Sequence, residues 1–442
     1  MSTSPQHIDS ASTLTARFLR TGAGGAVLLV TNRLVMLVVG ILLARILGPT
    51  EYGHYAYAFA CMSALLVFAD LGVSQYSLRQ VARLQAQDER SNLIKHVQMG
   101  MVLVLTCSLL LSFVASAFLS TLGVSTQIQV LLIMLVLLPL AVLIRYFCYI
   151  LRGVDRVLWG QSLDQVAVPI LVLLGLLVLW QYQSHLTAID AMWVQVVAAL
   201  AIVLVGFFSL KKFLLGGEKS FSLSDVIRLV PLAVPFGLLA GIGIVNGQID
   251  ILMLGLFTSP DQVGLYRIAV LGAALVGFGL QAANVVLPTL FTQLQTQDDQ
   301  EALQALVTLS ARVILLTALP VAVMFWWFGD DILGLLFGEA YLPAYGALAI
   351  LATGELIGAS MGSLGFLLYM SGEETPALKV LAGTAVINVL LNLVLIPLYG
   401  MAGAAVATAI GQGLRVVLLY LLVVRKLQLS PSPFRLNKER AR

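Results

Sequence analysis

Charge is what this sequence has least of. Only 11% of its 442 residues are Asp, Glu, Lys or Arg and 60% are hydrophobic, against roughly 25% charged in soluble domains, which excludes an ordinary water-facing surface. Histidine and cysteine are scarce too. His7, His54, His96 and His185 form no cluster, and Cys61, Cys107 and Cys148 lie far apart inside apolar stretches, so neither type has metal-ligand or disulfide spacing. No metal and no cofactor is expected. HExxH, CxxC and GxSxG are missing, and GGEKS at 216–220 lacks the spacing of a phosphate loop. An enzyme is therefore not expected.

What the chain does have is apolar length. Its mean hydropathy is +0.97, and a bilayer core of about 30 Å needs about 20 apolar residues per crossing. Twelve runs qualify, at about 25–47, 54–78, 96–120, 127–151, 160–181, 188–209, 227–257, 262–288, 305–329, 343–371, 375–398 and 402–425. The fold expected is an all-α polytopic membrane protein. The first run carries Asn32 and Arg33 and lacks a small-residue cleavage site, so it reads as a retained span and not a signal peptide.

Lys and Arg are distributed by side. They flank runs 1, 2/3, 4/5, 6/7 and 12 (Arg17, Arg79, Arg152, Lys211 and Arg425 among them), whereas the alternate loops at 48–53, 121–126, 182–187, 258–261, 330–342 and 399–401 have none. The positive-inside rule then puts both termini in the cytoplasm. A net charge of +3 follows from this topology, and nucleic acid is not an expected partner.

The chain also repeats itself. ILLARILGPTEYGHYAYAFA (41–60) is echoed 211 residues later by LMLGLFTSPDQVGLYRIA (252–269), with Pro49/Pro260, Gly53/Gly264 and Tyr55/Tyr266 in register, and FCYILRG (147–153) by FLLYMSG (366–372). Two six-helix bundles with the same orientation follow, a parallel internal repeat. The segments expected are a cytoplasmic tail at 1–24, bundles at 25–209 and 225–425, a cytoplasmic linker at 210–224 and a basic tail at 426–442. GPTEYG and TSPDQVG read as the turns that open each bundle, with the tyrosines after them at the outer interface.

Charges inside the spans are costly and mark function. Arg33 and Asp70 lie at matching depth in adjacent spans, as do Asp250 and Arg267, which allows each to pair. Arg145, Arg312 and Arg415 have no acidic partner at matching depth and suit a cationic cavity for an anion, although Arg312, near a span end, could instead snorkel to the interface. Arg45 and Asp164 complete the set apart from Glu355, in ATGELIGAS without an assigned partner, which is a proton- or cation-coupling candidate. Span 7 carries Pro231, Pro235, Gly237, Gly241, Gly243 and Gly247 and reads as a hinge. The glycines of span 10 read as packing.

Five segments carry a resemblance: ARILGPTEYGHYAYAFA, FADLGVSQYSLRQVAR, NGQIDILMLGLFTSPDQVGLYRIA, LFGEAYLPAYGALAIL and INVLLNLVLIPLYGMAGAAVATAI. Together they look like the polysaccharide biosynthesis flippases of lipid-linked, O-antigen-type oligosaccharides, within the multidrug/oligosaccharidyl-lipid/polysaccharide exporter superfamily. The resemblance runs through most of residues 25–425. It implies an inner-membrane protein with two six-helix bundles around a cation-lined cavity, moving an undecaprenyl-pyrophosphate oligosaccharide to the outer leaflet by alternating access. On that reading Arg33, Arg145, Arg267 and Arg415 contact the head group, Arg45 and Arg312 follow, and Asp70, Asp250 and Glu355 serve gating or ion coupling. The partners it implies are the lipid-linked oligosaccharide, membrane lipids, H+ or Na+, and a polysaccharide polymerase or export machinery.

A multidrug antiporter of the same superfamily is the alternative, disfavoured by six intramembrane arginines against four acids. A glycosyltransferase or ligase is opposed by the lack of a large outer loop with acid and base residues. GDDILGLLFGEAYLP (329–343) reads mainly as an interfacial helix. A non-transporting scaffold in an export complex is the remaining reading.

Overall fold

A computed structural model describes residues 11–183, 185–216, 221–297 and 299–434. They form helices joined by short connections and no strand. The first half holds α1 (Ala11–Asp70), α2 (Val73–Ala86), α3 (Arg90–Ser120), α4 (Thr126–Gly153), α5 (Val157–Ser162), a π-helical turn (Leu163–Ala167), α6 (Val168–Tyr182) and α7 (Ala188–Leu214). The second holds α8 (Leu223–Ile227), α9 (Val230–Phe257), α10 (Pro260–Val276), α11 (Phe278–Thr296), α12 (Gln300–Phe337), a 3-10 turn (Glu339–Ala344), α13 (Tyr345–Ser360), α14 (Leu364–Met370) and α15 (Glu374–Leu427).

Among the described residues, nine helical stretches are long and apolar enough to cross a membrane, and the pair α10/α11, bent by 50°, makes a tenth. Two of these are too long for one crossing. Val27–Asp70 has 44 residues and Glu374–Leu427 has 54, about 66 and 81 Å at helical rise, more than twice a bilayer core. Each leaves helical geometry once, at Gly48 (φ 69°, ψ 171°) and at Gly400 (φ 58°, ψ −134°), conformations that favour glycine. A Cβ on Gly403 would lie 2.1 Å from the Leu395 carbonyl oxygen, eight residues back, so the chain doubles over there. With both long helices counted as two passes, the twelve expected spans are present. Gly48 and Gly400 mark one end of the bundle, the hairpin end; the α7/α8 connection marks the other, the linker end.

The sequence repeat becomes a repeat of contacts. Glu51, opening the second pass, accepts from the Ala188 N–H at the start of α7 at 2.7 Å; Gln262, its counterpart, accepts from the Met401 N–H at the start of the last pass at 3.2 Å. Likewise Gln195 donates to the Tyr55 hydroxyl at 2.6 Å, and the Tyr266 hydroxyl meets that of Thr408 at 3.4 Å. Each six-pass lobe is tied at its hairpin end in the same way.

The lobes meet through the glycines of the repeat. A Cβ on Gly53 would lie 1.7 Å from the Pro260 carbonyl oxygen, and one on Gly264 would lie 2.0 Å from that of Pro49. Only a bare backbone allows that approach, the use membrane helices make of small residues. The turns read in GPTEYG and TSPDQVG are confined to their first residues, Gly48 and Thr258–Ser259; helix resumes at Pro49 and at Pro260, and Gly53 and Gly264 are a helix crossing. In span 7 the backbone leaves helix at Arg228–Leu229, between α8 and α9, and α9 then runs unbroken past Pro235 and the glycines. Further departures from α-helix occur at Leu71–Gly72 in the second pass, at the π turn of the fifth, at Gly277 in the eighth, at Phe328 in the ninth and at Gly362 in the tenth. In span 10 the packing reading fits, with Gly354 against Ala409 and Gly358 against Gln412.

Candidate functional site

A cavity of about 780 Å³ opens inside the first lobe and reaches α9 and α10 of the second. Its walls carry four arginines, Arg33, Arg145, Arg152 and Arg267, against one carboxylate, Asp164. The geometry toward the linker end is set by α4. Arg145, Tyr149 and Arg152 fall at i, i+4 and i+7 of this helix, one face, and both guanidinium groups stack on the Tyr149 ring, at 5.7 and 5.0 Å from its centroid. Such stacking holds the two cations in place, and the Asp164 carboxylate interacts with both, with Arg152 first.

Arg145 is half-paired. Its Nε lies 3.8 Å from the Asp70 carboxylate, an ion pair too long for a hydrogen bond, while Asp70 itself is 2% exposed and accepts from the Ser74 hydroxyl and N–H. The expected Arg33–Asp70 pair is therefore replaced by Arg145–Asp70, and Arg145 is not without an acidic partner. Arg33 instead donates to Gln281 across the lobe boundary, next to Asn32, which donates to the Gln165 carbonyl, whose helical i+4 residue, Pro169, has no N–H to offer it. The Nε atoms of Arg145 and Arg152 are buried and have no hydrogen-bond partner.

Toward the hairpin end the lining changes to Tyr52, Tyr55, Phe59, Gln195, Gln248 and Arg267. Arg267 interacts with the Tyr52 hydroxyl and not with Asp250, which corrects the second expected pair. The tyrosines, expected at the outer interface, are buried cavity walls at 4% and 7% exposure.

Asp250 lies in the second lobe among neutral groups. It accepts from Tyr266 at 3.0 Å, Asn392 at 2.8 Å and Thr408 at 2.6 Å, and Asn392 also donates to the Asn388 Oδ1 at 3.0 Å while its own Oδ1 is buried and unpartnered. Glu355 does have a partner: it accepts from Gln412 at 2.7 Å and interacts with Arg415, so neither member of that pair stands alone. Its Oε2 would be 2.6 Å from a Cβ on Gly277, where the eighth pass bends. Neither Asp250, Glu355 nor Arg415 lines the cavity.

The two remaining arginines lie elsewhere. Arg45 donates to the carbonyls of Leu335 and Leu336, the latter at 2.8 Å, where the Tyr341 hydroxyl also reaches the Ala44 carbonyl at 3.0 Å. Arg312 donates to the Pro433 carbonyl at 2.8 Å and so helps hold the segment after α15. Sequence reasoning missed Arg152, assigned to a loop, although its helical spacing from Arg145 and Tyr149 was legible. It also missed the Asn388, Asn392 and Thr408 setting of Asp250, for which no local signal exists.

Residues 23–295, more than half of the chain, match the family described as polysaccharide biosynthesis protein. A probable low-salt glycan biosynthesis flippase of Haloferax volcanii, Agl15, is 28% identical over 170 residues, covering 38% of this chain and 36% of that protein. Among solved structures, the lipid II flippase MurJ in an inward closed conformation superimposes with a TM-score of 0.70 at 16% identity, covering 90% of this chain and 86% of that one. A multidrug resistance MATE transporter in an inward-facing conformation also gives 0.70, at 15% identity, covering 90% and 94%. At these identities the structures show the shared fold.

Proposed function

Because the chain belongs to the polysaccharide biosynthesis protein family and has a probable glycan biosynthesis flippase among its relatives, we propose that it carries a polyprenyl (undecaprenyl) diphosphate-linked oligosaccharide from the cytoplasmic to the outer leaflet of the inner membrane. The observation that carries this reading is the Arg145–Tyr149–Arg152 stack on the cavity wall. Guanidinium forks match phosphate geometry, and Arg33 adds a third cation nearby. The lipid tail stays in the bilayer beside the cavity.

The hairpin end, whose loops carry no Lys or Arg, faces outward in this proposal, with both termini in the cytoplasm. The Gly53/Gly264 crossing and the Arg45 and Tyr341 ties then close the outer side, and rocking the lobes about that crossing exposes the cavity alternately. Asp250 is the site for the driving H+ or Na+: a buried carboxylate among neutral partners lacks the cation that burial demands. Glu355, set against the bend at Gly277, is a gating carboxylate.

The test uses liposomes with purified protein and a fluorescent undecaprenyl-diphosphate oligosaccharide. Wild type moves the lipid between leaflets, and Arg152→Ala slows it about tenfold to a hundredfold, the worth of a charge-assisted hydrogen bond. A wild type that leaves the lipid in place and exchanges organic cations for protons overturns this reading in favour of an antiporter.

A further inference from the structure

The cavity is longer than a diphosphate. Its two ends can be measured on one helix, because α1 is continuous from Pro49 to Asp70. Tyr55 lies beside Arg267 at the hairpin end, and Asp70 pairs with Arg145 toward the linker end; fifteen residues separate them, about 22 Å of helix rise. Two linked phosphates span a small part of that. A diphosphate held by Arg145 and Arg152 leaves Arg267 unmet.

The surroundings of Arg267 differ from those of the other cations. Tyr52, Tyr55 and Phe59 form a row of stacked rings down one wall, with centroids 6.2 and 6.5 Å apart and planes within 20°. Gln195 is fixed to the hydroxyl of Tyr55, the middle ring of the row. Gln248 lines the same cavity with a buried Oε1 that has no hydrogen-bond partner. Aromatic faces and side-chain amides suit a sugar ring and its hydroxyls, since each sugar presents an apolar face of C–H groups and a rim of donors and acceptors. A guanidinium among them, with tyrosines and no carboxylate beside it, adds a demand for negative charge.

We infer that the transported glycan carries an acidic sugar, a carboxylate-bearing residue distal to the diphosphate, and that Arg267 is the residue that selects it. This rests on the flippase reading and deepens it. Arg145 and Arg152 recognise what every diphosphate-linked lipid shares, whereas Arg267 reads the sugar. Gln248 and Gln195 orient that sugar through its hydroxyls, and the ring row excludes water from the ion pair and strengthens it.

The experiment compares two fluorescent undecaprenyl-diphosphate oligosaccharides, one ending in a uronic acid and one with that carboxylate reduced to the alcohol, in the same proteoliposomes. Wild type is expected to move the acidic lipid about tenfold to a hundredfold faster at limiting concentration. Arg267→Gln is expected to abolish the preference by slowing the acidic lipid alone, Arg267→Lys to keep most of it, and Arg152→Ala to slow both equally. Equal handling of both lipids by wild type overturns the inference while leaving the flippase reading intact, and it does so without any variant. An unchanged preference in Arg267→Gln overturns the assignment to Arg267. If wild type moves neither lipid, the flippase reading falls and this inference with it.

Discussion

The two lobes share a scaffold and differ in chemistry. Position by position, the ties at the hairpin end match: Glu51 with Gln262, Ala188 with Met401, Tyr55 with Tyr266, Gln195 with Thr408. The groups that carry charge do not match. The residue 211 positions before Asp250 is Val39, and the residue 211 before Arg267 is Ala56. Duplication kept what holds the helices at fixed angles, while the charged groups diverged. The first lobe supplies three of the four arginines that wall the cavity, and the second holds two separate carboxylate settings, around Asp250 and around Glu355. Symmetric residues should therefore act on stability, and asymmetric ones on transport.

The largest effect tests the cationic side. Removing Arg145 alone would strand Asp70, and a buried carboxylate without its partner is worth several kcal/mol of lost stability, which would confuse folding with function. Asp164, which interacts with both arginines, would be stranded in the same way, so the clean variant is Arg145→Ala and Arg152→Ala with Asp70→Asn and Asp164→Asn. Two lost charge-assisted contacts predict a fall in lipid transport of about a hundredfold to ten-thousandfold, with the thermal unfolding midpoint close to that of wild type. Retained transport in this folded fourfold variant would remove the stack from the site.

The carboxylate side comes next. Asp250→Asn keeps the shape of the cluster while removing its charge: the amide oxygen can still accept from Asn392, and the Tyr266 and Thr408 hydroxyls can turn to accept from the new NH2. If Asp250 carries the driving ion, an imposed proton or sodium gradient should no longer accelerate transport, a loss of about 5- to 150-fold for typical coupling free energies. Gradient-independent exchange between leaflets should persist. A variant that responds to both gradients as wild type does would detach Asp250 from coupling and leave Glu355 as the carboxylate to examine.

What the sequence made legible follows the same division. Twelve passes, the repeat and the cationic bias could be read because each is a property of composition, length or spacing. Pairing could not. Arg33 and Asp70 share a depth, yet depth fixes only one coordinate, and the azimuth around each helix sent Arg33 to Gln281 and gave Asp70 to Arg145. Arg312 and Arg45 look like intramembrane cations until the segments they bind, around Pro433 and Leu336, are placed beside them. Gly53 and Gly264 were visible as a repeated pair, but a glycine that ends a turn and one that admits another backbone look alike in sequence. The Asp250 cluster joins α9, α10 and α15, so nothing local announces it.

The crossing itself gives the third comparison. Gly53→Ala and Gly264→Ala each put a methyl group within 2.0 Å of a carbonyl oxygen on the other lobe, so the helices must part. Overpacking of this kind costs about 1–3 kcal/mol, here charged to the state with the hairpin end closed. Because the contact is reciprocal, the two variants should behave alike: a thiol introduced at Ala56, buried on the cavity wall behind the crossing, should react faster with a membrane-impermeant reagent in both. One variant opening the end and the other not would show that the crossing is not a symmetric seal.

The smallest effect belongs to the helix-start ties. Glu51→Ala leaves the Ala188 N–H without its acceptor and Gln262→Ala does the same to Met401, each a loss of about 0.5–1.5 kcal/mol for a hydrogen bond of this kind. Glu51 is formally charged and Gln262 neutral, so the first tie should be the stronger, in keeping with 2.7 Å against 3.2 Å. Thermal unfolding in detergent should fall by a few degrees in both and slightly further for Glu51→Ala, with lipid transport within about twofold of wild type once the loss of folded protein is corrected. If Glu51→Ala instead cut transport as deeply as Arg152→Ala while the protein stayed folded, a symmetric residue would be acting on the substrate, and the separation of scaffold from site would fail at its first position.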